Sequence, residues 1–289
     1  MPNTANLLQD LLNLLDLEPI EVNLFRGQSR DIGGRSVFGG QVLGQALVAA
    51  GRTVEGRTAH SLHAYFLRPG DMEAPIVYDV DRIRDGKSFT TRRVVAIQHG
   101  RPIFNLAASY QIDEDGVEHQ ATMPQVPGPE GLANEQALRE QVAHRVPAKL
   151  RDKFTRERPI EIRPVDPPDI FEPEKSEPVQ YAWIRAAGTI PDELSLHQCM
   201  LAYASDFNLL GTALRPHQLS FMQPQLQGAS LDHTMWFHRP FRMDDWLLYS
   251  MDSPSASGAR GFNRGSIYTR DGVLVASVAQ EGLIRVRED

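Results

Sequence analysis

Residues 39–51 of this 289-residue chain read Gly-Gly-Gln-Val-Leu-Gly-Gln-Ala-Leu-Val-Ala-Ala-Gly. After the two glycines, which favour a turn, apolar side chains occupy nearly every face of a helix drawn through the stretch: Val42, Leu43, Ala46, Leu47, Ala49 and Ala50. A helix that is apolar nearly all round is typical of the centre of a protein rather than its surface. The stretch therefore predicts a buried helix from about Gln41 to Gly51.

A run of β-strands follows the predicted helix. Four segments have the alternation or the β-branched content typical of strands: His60–Leu67, Pro75–Ile83, Ser88–Gln98 and Ile103–Ile112. The dipeptides Asp85-Gly86 and His99-Gly100 predict hairpin turns, and a strand-like Glu21–Phe25 comes before the helix. This order favours an antiparallel sheet wrapped around a central helix.

The second half of the chain repeats the same order of elements. A strand-like Tyr181–Arg185 is followed by a helix that starts with proline and acidic residues, which are typical of a first turn, and ends near Asp206. Four strand segments come next: Leu231–His238, Trp246–Asp252, Ala259–Thr269 and Val273–Arg285. Ser257-Gly258 and Asp271-Gly272 predict the turns in this meander.

Matching points in the two halves keep a nearly constant separation. Gly86 and Gly258 are 172 residues apart, and Gln111 is matched with Gln280 at a separation of 169. This register indicates a duplication. The helices align at about 155 residues, so the second half has roughly sixteen additional residues, within 208–228, before its first strand. An extra loop on a repeated scaffold is a common place for a functional site.

Proline density separates the two halves. Ten of the 20 prolines lie between Pro124 and Pro178, which predicts a connector rather than continuous helix or sheet, although Glu130–Lys153 has the composition of a surface helix. We predict an N-terminal repeat at 1–115, a connector at 116–178 and a C-terminal repeat at 179–289. The predicted fold class is α+β: a double hotdog in which each antiparallel sheet encloses a central helix. Pairing the two sheets edge to edge would remove two free edges.

Composition and charge exclude several classes of protein. With 41% hydrophobic residues the chain is globular, and a net charge of −7 without a basic block argues against a nucleic-acid partner. No segment reaches the ~18 unbroken apolar residues of a spanning helix, so no integral membrane segment is expected. The leucine-rich stretch 7–17 is interrupted by polar residues and predicts an amphipathic helix rather than a signal peptide. The single cysteine, Cys199, cannot form an intramolecular disulfide, so a cytoplasmic location is expected.

Several common site motifs are absent from the sequence. It has no H-E-x-x-H, Walker A or G-x-G-x-x-G pattern, and His60 and His63 fall on opposite faces of one strand. We therefore predict a site without a metal or a nucleotide cofactor. Gly39-Gly40 could receive a phosphate at a helix start, but a tight turn is the simpler interpretation. Cys199 is interpreted as an inert buried thiol.

Three polar residues are predicted to border the groove where the two helices face each other. Asp206 ends the second helix, where the first helix has Gly51. Ser230 opens the second meander, where the first repeat has Ala59, and Gln280 lies late in the last strand. Each also has an ordinary structural interpretation, as a helix end, a turn residue and a solvated strand position respectively.

Several longer motifs carry a family resemblance. They are Val37-Phe38-Gly39-Gly40-Gln41, Leu67-Arg68-Pro69-Gly70-Asp71, Ala204-Ser205-Asp206, Asp232-His233-Thr234-Met235-Trp236-Phe237-His238-Arg239-Pro240 and Ala279-Gln280-Glu281-Gly282. Through them the chain resembles the acyl-CoA thioesterase II family over nearly its whole length. The resemblance implies a double hotdog that hydrolyses acyl-CoA to fatty acid and CoA, without a cofactor and as a homodimer or homotetramer. It also implies a catalytic set of Asp, Thr or Ser, and Gln, which falls on Asp206, Ser230 and Gln280.

These residue types suit direct attack of water on a thioester. Asp206 would accept the proton of the water, while Ser230 and Gln280 would hold the water in place. Close relatives often have Thr at the position of Ser230, so the hydroxyl is kept and χ1 is less restrained. Two alternatives stay open: a hotdog-fold enoyl-CoA hydratase, which would pair the carboxylate with a histidine, and a non-catalytic acyl-CoA-binding module.

Overall fold

The chain alternates helices and strands in two similar runs, and the computed structural model describes it from residue 4 to residue 287. The helices are α1 (Thr4–Leu15), α2 (Gly39–Gly51), α3 (Glu135–Val142), α4 (Ala148–Phe154) and α5 (Leu194–Ser205), with 3₁₀ helices at Ala143–Arg145 and Leu210–His217. The strands are β1 (Glu18–Glu21), β2 (Leu24–Gly27), β3 (Thr58–Phe66), β4 (Ile76–Asp85), β5 (Phe89–Gln98), β6 (Arg101–Gln111), β7 (Ile160–Pro164), β8 (Val179–Ala186), β9 (Leu226–Ser230), β10 (Asp232–Phe237), β11 (Leu247–Ser257), β12 (Arg260–Thr269) and β13 (Leu274–Val286). The first three residues of the predicted N-terminal repeat and the last two of the C-terminal repeat lie outside the described residues.

Helices α2 and α5 pack against each other at the centre of the molecule. A Cβ on Gly40 would lie 2.3 Å from the carbonyl oxygen of Tyr203, and a Cβ on Gly44 would lie 3.0 Å from the carbonyl oxygen of Cys199. The two helices therefore run antiparallel, and glycine at these positions lets their backbones approach closely. The burial of α2 on nearly all faces, predicted from its apolar pattern, is confirmed.

One antiparallel sheet of 13 strands contains both repeats. Its order is β1-β2-β4-β5-β6-β3-β10-β13-β12-β11-β8-β7, and β9 pairs with β13 beside this path. The repeats meet where β3 pairs with β10, from Ser61 opposite Trp236 to Tyr65 opposite Asp232. We call these two strands the seam. They join the repeats and leave neither seam edge unpaired, so the predicted double hotdog is confirmed.

Side chains alternate across the seam between the core and the outer face of the sheet. Leu62 and Met235 face each other and are fully buried. Their neighbours His63 and Trp236 point outward, and Trp236 is 38% exposed. The core is continuous from one repeat to the other, because α2, α5 and the inner faces of both sheets belong to one cluster of buried apolar residues. None of the helices described for this chain is long and apolar enough to cross a membrane.

Several elements differ from the sequence predictions. Helix α5 begins at Leu194, so the proline and acidic residues expected in its first turn lie before it. The predicted strand Glu21–Phe25 is interrupted by a turn at 22–23, so it divides between β1 and β2. The surface helix predicted at Glu130–Lys153 is two shorter helices, α3 and α4, because Pro147 cannot continue a helix and instead precedes α4. The strand predicted to begin at Leu231 begins earlier, as β9, and is broken at Leu231 before β10.

Candidate active site

The structure brings the three predicted site residues together. Asp206 follows the last residue of α5, Ser230 ends β9, and Gln280 lies in β13. The Gln280 Nε2 donates to the Asp206 Oδ1 at 2.7 Å and to the Ser230 Oγ at 3.1 Å. The Ser230 Oγ donates to the same Asp206 Oδ1 at 3.4 Å. A carboxylate, a hydroxyl and a carboxamide from three separate elements therefore share one contact point.

The second oxygen of Asp206 is held by the start of the other central helix. The backbone N–H of Gly40, in the first turn of α2, donates to the Asp206 Oδ2 at 2.9 Å. A helix N-terminus carries a partial positive charge, which favours a carboxylate at this place. Gly40 thus bonds a side chain of this protein and packs against the backbone of Tyr203, in keeping with the tight-turn interpretation rather than the phosphate one.

The charge of Asp206 decides how the Gln280 amide is oriented. A carboxylate oxygen only accepts hydrogen bonds, so the NH₂ end of the amide must face Asp206. The carbonyl end then points elsewhere, and the Gln280 Oε1 has no partner among the described residues although the side chain is 1% exposed. A buried acceptor without a partner is costly to keep and is often a functional feature. This oxygen is therefore an acceptor that the described residues leave unsatisfied.

A fourth residue, His233, belongs to the same network. It is completely buried, its Nδ1 lies 3.1 Å from the Gln280 Nε2, and its Nε2 lies 2.9 Å from the Ser205 Oγ. Since Gln280 presents an N–H to it, the Nδ1 must be the unprotonated nitrogen, and the Nε2 carries the hydrogen. Burial lowers the pKa of His233 to about 4, although the nearby Asp206 carboxylate acts in the opposite direction. His233 is therefore neutral and accepts one hydrogen of the Gln280 amide, while Asp206 and Ser230 share the other.

Sequence reasoning did not find His233, although a signal was present. At the separation of 171 residues that relates Ser230 to Ala59, His233 corresponds to Leu62. A histidine in place of a core leucine is the same kind of signal that singled out Asp206. The motif containing His233 was used only for the family resemblance.

The match of Gln111 with Gln280 is wrong. Ala107 pairs with His63 in the first repeat, and Ala279 pairs with Thr234 in the second. Because these pairs are equivalent, the counterpart of Gln280 is Ala108, whereas Gln111 lies at the end of β6 opposite Phe89. The two glutamines agree in residue type but not in their place in the ladder. The first repeat therefore has only small residues at the three equivalent positions: Gly51, Ala59 and Ala108.

The additional segment 208–228 lies beside Gln280. It contains the 3₁₀ helix Leu210–His217, which packs on β11, β12 and β13. Leu210 fills the space over Gly282, where a Cβ would come within 2.4 Å of its Cδ1. Gly282 lies two residues beyond Gln280 and thus on the same face of β13. The segment that the second repeat gained forms one wall of the candidate site.

The other residues considered from the sequence have structural roles. His60 contacts the Ser109 Oγ at 2.8 Å, and His63 packs edge-on against the Trp236 ring. Cys199 is buried, and burial raises the pKa of its thiol to about 12, as an inert thiol requires. Within residues 4–287, no group of three or more His, Cys, Asp or Glu side chains is placed to hold a metal ion.

Comparison with protein families and curated proteins agrees with this architecture. Residues 27–111 match the family model described as acyl-CoA thioesterase N-terminal domain, and residues 149–283 match the one described as acyl-CoA thioesterase. Acyl-CoA thioesterase 2 of Haemophilus influenzae is 45% identical over 285 residues, which cover 98% of this chain and all of that protein. Acyl-coenzyme A thioesterase 8 of Homo sapiens is also 45% identical, covering 95% of this chain and 88% of the human protein.

Solved structures define first the class and then the family. The acyl-CoA thioesterase II TesB2 of Mycobacterium marinum superposes with a TM-score of 0.79 at 43% identity, covering 96% of this chain and 99% of that one. The tesB protein of Mycobacterium avium subspecies paratuberculosis gives 0.80 at 30% identity, with the same coverage. The protein is thus a hotdog thioester hydrolase. More specifically, the chain belongs to the acyl-CoA thioesterase II family.

Proposed function

We propose that the chain hydrolyses fatty acyl-CoA to free fatty acid and CoA by direct attack of a water held by Asp206, Ser230 and Gln280. The observation that carries the proposal is the convergence of these three side chains at one point, with the buried Gln280 Oε1 left without a partner among the described residues. The names of the curated relatives support acyl-CoA as the substrate, because the identity of 45% extends over nearly the whole chain.

The chemistry requires one proton acceptor and further polar groups that orient the water. The water donates one hydrogen bond to Asp206, and the Ser230 hydroxyl and the Gln280 amide hold it so that a lone pair faces the thioester carbonyl carbon. As the new C–O bond forms, Asp206 accepts a proton from the water. The tetrahedral intermediate then collapses, the C–S bond breaks, and the departing CoA thiolate takes the proton from Asp206. No covalent acyl-enzyme forms.

Two further contacts support the placement of these groups. The Gly40 N–H holds the second oxygen of Asp206, which keeps the carboxylate aimed at the shared contact point. His233 accepts a hydrogen bond from the Gln280 amide and donates one from its own N–H to Ser205. The amide therefore cannot rotate without breaking a buried hydrogen bond. Ser230 has the hydroxyl that the family resemblance implies at this position.

Replacement of the carboxylate by an amide tests the proposal. Asp206→Asn keeps the size of the side chain but removes the proton acceptor, so kcat should fall by about 10²-fold or more. Asp245→Asn is the matched control, since Asp245 is exposed and lies outside the site. Circular dichroism and the midpoint of thermal unfolding establish that both variants fold. Unchanged turnover by a folded Asp206→Asn variant would exclude Asp206 as the proton acceptor.

A thiol-release assay on acyl-CoAs of increasing chain length separates the thioesterase from its two alternatives. The thioesterase releases free CoA thiol, a hydratase consumes the enoyl chromophore without releasing thiol, and a binding module does neither. The hydratase alternative needs a carboxylate and a histidine that both reach the substrate. Both nitrogens of His233 are already hydrogen-bonded and the ring is completely buried, which favours hydrolysis.

We also propose that the chain forms a homodimer or homotetramer and acts in the cytoplasm. The outer face of the seam exposes two aromatic side chains, Tyr65 at 59% and Trp236 at 38%, and exposed apolar surface of this kind is typical of interfaces. Light scattering after gel filtration should give two or four times the chain mass, and a monomer would contradict the proposal. The buried free thiol of Cys199 suits a reducing compartment, which fractionation of the native cell would test.

A further inference from the structure

A cavity of about 570 Å³ lies at the opposite end of the helix pair from Asp206. Its wall includes Gly51 and Arg52 at the end of α2 and Glu193 and Ser195 at the start of α5. Asp206 instead lies where α5 ends and α2 begins. A two-fold relation between the repeats exchanges these two ends, so the cavity occupies the place of the candidate active site in the other half of the molecule.

Aromatic packing distinguishes the two ends of the helix pair. Beside Asp206, the rings of Phe38, Tyr203 and Phe207 pack together, with centroids 4.5 to 5.6 Å apart. At the helix separation of 155 residues, their counterparts are Val48, Arg52 and Glu193, which all line the cavity. None of these three fills the volume of the aromatic ring that corresponds to it.

The cavity lies at the place equivalent to the candidate active site but lacks its reactive groups. The positions equivalent to Asp206 and Ser230 are Gly51 and Ala59, and both line the cavity. The position equivalent to Gln280 is Ala108, and no side chain there can orient a water. Any thioester or acid that enters the cavity therefore meets no counterpart of the catalytic set.

The lining of the cavity combines an apolar wall with one cation that has no carboxylate partner. Leucines from three helices, Leu12, Leu47 and Leu196, form much of the wall. Arg52 is paired with Asp16. Arg57 donates to the carbonyl oxygens of residues 55, 86 and 87, and no carboxylate of the described residues forms an ion pair with it. The Arg57 Nε is buried and without a hydrogen-bond partner in the same part of the chain.

We propose that this cavity is a second, non-hydrolysing site that binds a free fatty acid, with the alkyl chain against the leucines and the carboxylate at Arg57. The volume lies in the range of small-molecule sites, about 300–1,000 Å³. A single guanidinium without an ion-pair partner matches one carboxylate better than the several phosphate charges of CoA. The inference uses the acyl chemistry of the family and not the roles of Asp206, Ser230 and Gln280, so it stands or fails independently of the proposed mechanism.

Equilibrium dialysis with radiolabelled dodecanoate tests the site by stoichiometry. The wild-type chain should bind two dodecanoates, one in each half, and a dodecyl-CoA thioether, which cannot be hydrolysed, should displace only the one in the active site. Val48→Tyr places in the cavity the residue type that occupies the equivalent position beside Asp206, so its stoichiometry should fall to one. Val48→Ala, which leaves the cavity open, should retain two. Because Val48 lies outside the candidate active site, initial rates of acyl-CoA hydrolysis should be unchanged in both variants.

Arg57→Met should weaken the second binding event by about tenfold or more, because it removes a charge-assisted hydrogen bond to the carboxylate. Arg101→Met is the control, as Arg101 is exposed in the same repeat and does not line the cavity. The midpoint of thermal unfolding is measured for each variant. A tenfold weakening in the control as well would contradict the role of Arg57.

Two results would overturn the proposal: a dodecanoate stoichiometry that Val48→Tyr does not lower, or displacement of every bound dodecanoate by the thioether.

Discussion

At the scale of single residues, His233 has the clearest untested consequence. It contacts neither the Asp206 carboxylate nor the Ser230 hydroxyl directly, but it holds the amide that does. His233→Leu inserts the side chain that the first repeat has at this position, so the backbone should tolerate it. The Gln280 amide would lose one of its acceptors and could rotate. We expect kcat to fall by about 10- to 100-fold with KM little changed, because a positioning group affects the oriented water rather than acyl-chain binding.

His63→Leu is the matched control for this variant. It removes a histidine from the same seam, but His63 points to the outer face of the sheet. Steady-state kinetics over a series of acyl-CoA concentrations separate kcat from KM. A rise in KM alone, with kcat unchanged, would show that His233 shapes the acyl pocket instead of positioning Gln280.

The buried histidine also predicts how stability depends on pH. The pKa of His233 is lowered from 6.5 to about 4 in the folded protein, so between these values the unfolded chain binds a proton that the folded chain does not. The free energy of unfolding must therefore decrease as the pH falls from 6.5 towards 4, by at most about 1.4 kcal/mol per pH unit from this residue. In urea titrations at pH 7 and pH 5, the loss of stability should be smaller for His233→Leu than for the wild type. Equal losses would contradict the assignment of His233 as neutral.

Residue-scale prediction from the sequence depended on comparing equivalent positions of the two repeats. Asp206 and Ser230 stood out because Gly51 and Ala59 occupy the equivalent positions. Gln280 was selected although it was matched with the wrong residue of the first repeat. That match failed because a bulge in the β3–β6 ladder and small register shifts cannot be seen in spacing alone. The orientation of its amide depends on contacts with residues 47 and 74 positions away, which only the folded chain brings together.

At the scale of elements, the start of α2 connects helix packing with the site. A Cβ on Gly39 would lie 2.7 Å from the Asp206 Oδ2 and 2.9 Å from the Phe66 ring. Gly39→Ala should therefore displace the carboxylate and lower kcat by about tenfold or more. At the other end of the same helix, a Cβ on Gly51 meets nothing closer than 3.7 Å. Gly51→Ala should keep full activity and raise stability by up to about 1 kcal/mol, because alanine favours a helix over glycine.

Kinetics and thermal unfolding of the two alanine variants check this contrast. Equal activity of Gly39→Ala and the wild type would mean that Asp206 can move without consequence. The elements themselves were predictable where one periodicity decided them, as in α2 and the meanders. The elements were not predictable where a single turn or proline ends them, as at 22–23 and Pro147. At these places one residue or turn overrides the structure that the surrounding composition favours.

At the scale of the whole molecule, the duplication was visible in the sequence, but its two unequal ends were not. The glycine turns at matching separations predicted two copies and one shared sheet. The cavity opposite the candidate active site depends on three side chains being smaller than their aromatic counterparts across the two-fold relation. That comparison requires knowing which ends of α2 and α5 meet, and the sequence alone does not provide it.

The shared sheet predicts that neither repeat folds alone. We propose the division at 1–115, 116–178 and 179–289, and the seam and the contact between α2 and α5 both cross it. In a fragment of residues 1–115, one side of the apolar helix α2 and the edge of β3 would be exposed to solvent. The fragment would therefore bury much less apolar surface than the same residues do in the whole chain. Its thermal unfolding by circular dichroism should lack a cooperative transition. Co-expression with a fragment of residues 116–289 should restore a cooperative transition and thioesterase activity, since the break lies just beyond β6 and outside the seam. A cooperative transition in the isolated fragment would instead make the first repeat an independent domain, with the seam an interface between two preformed units.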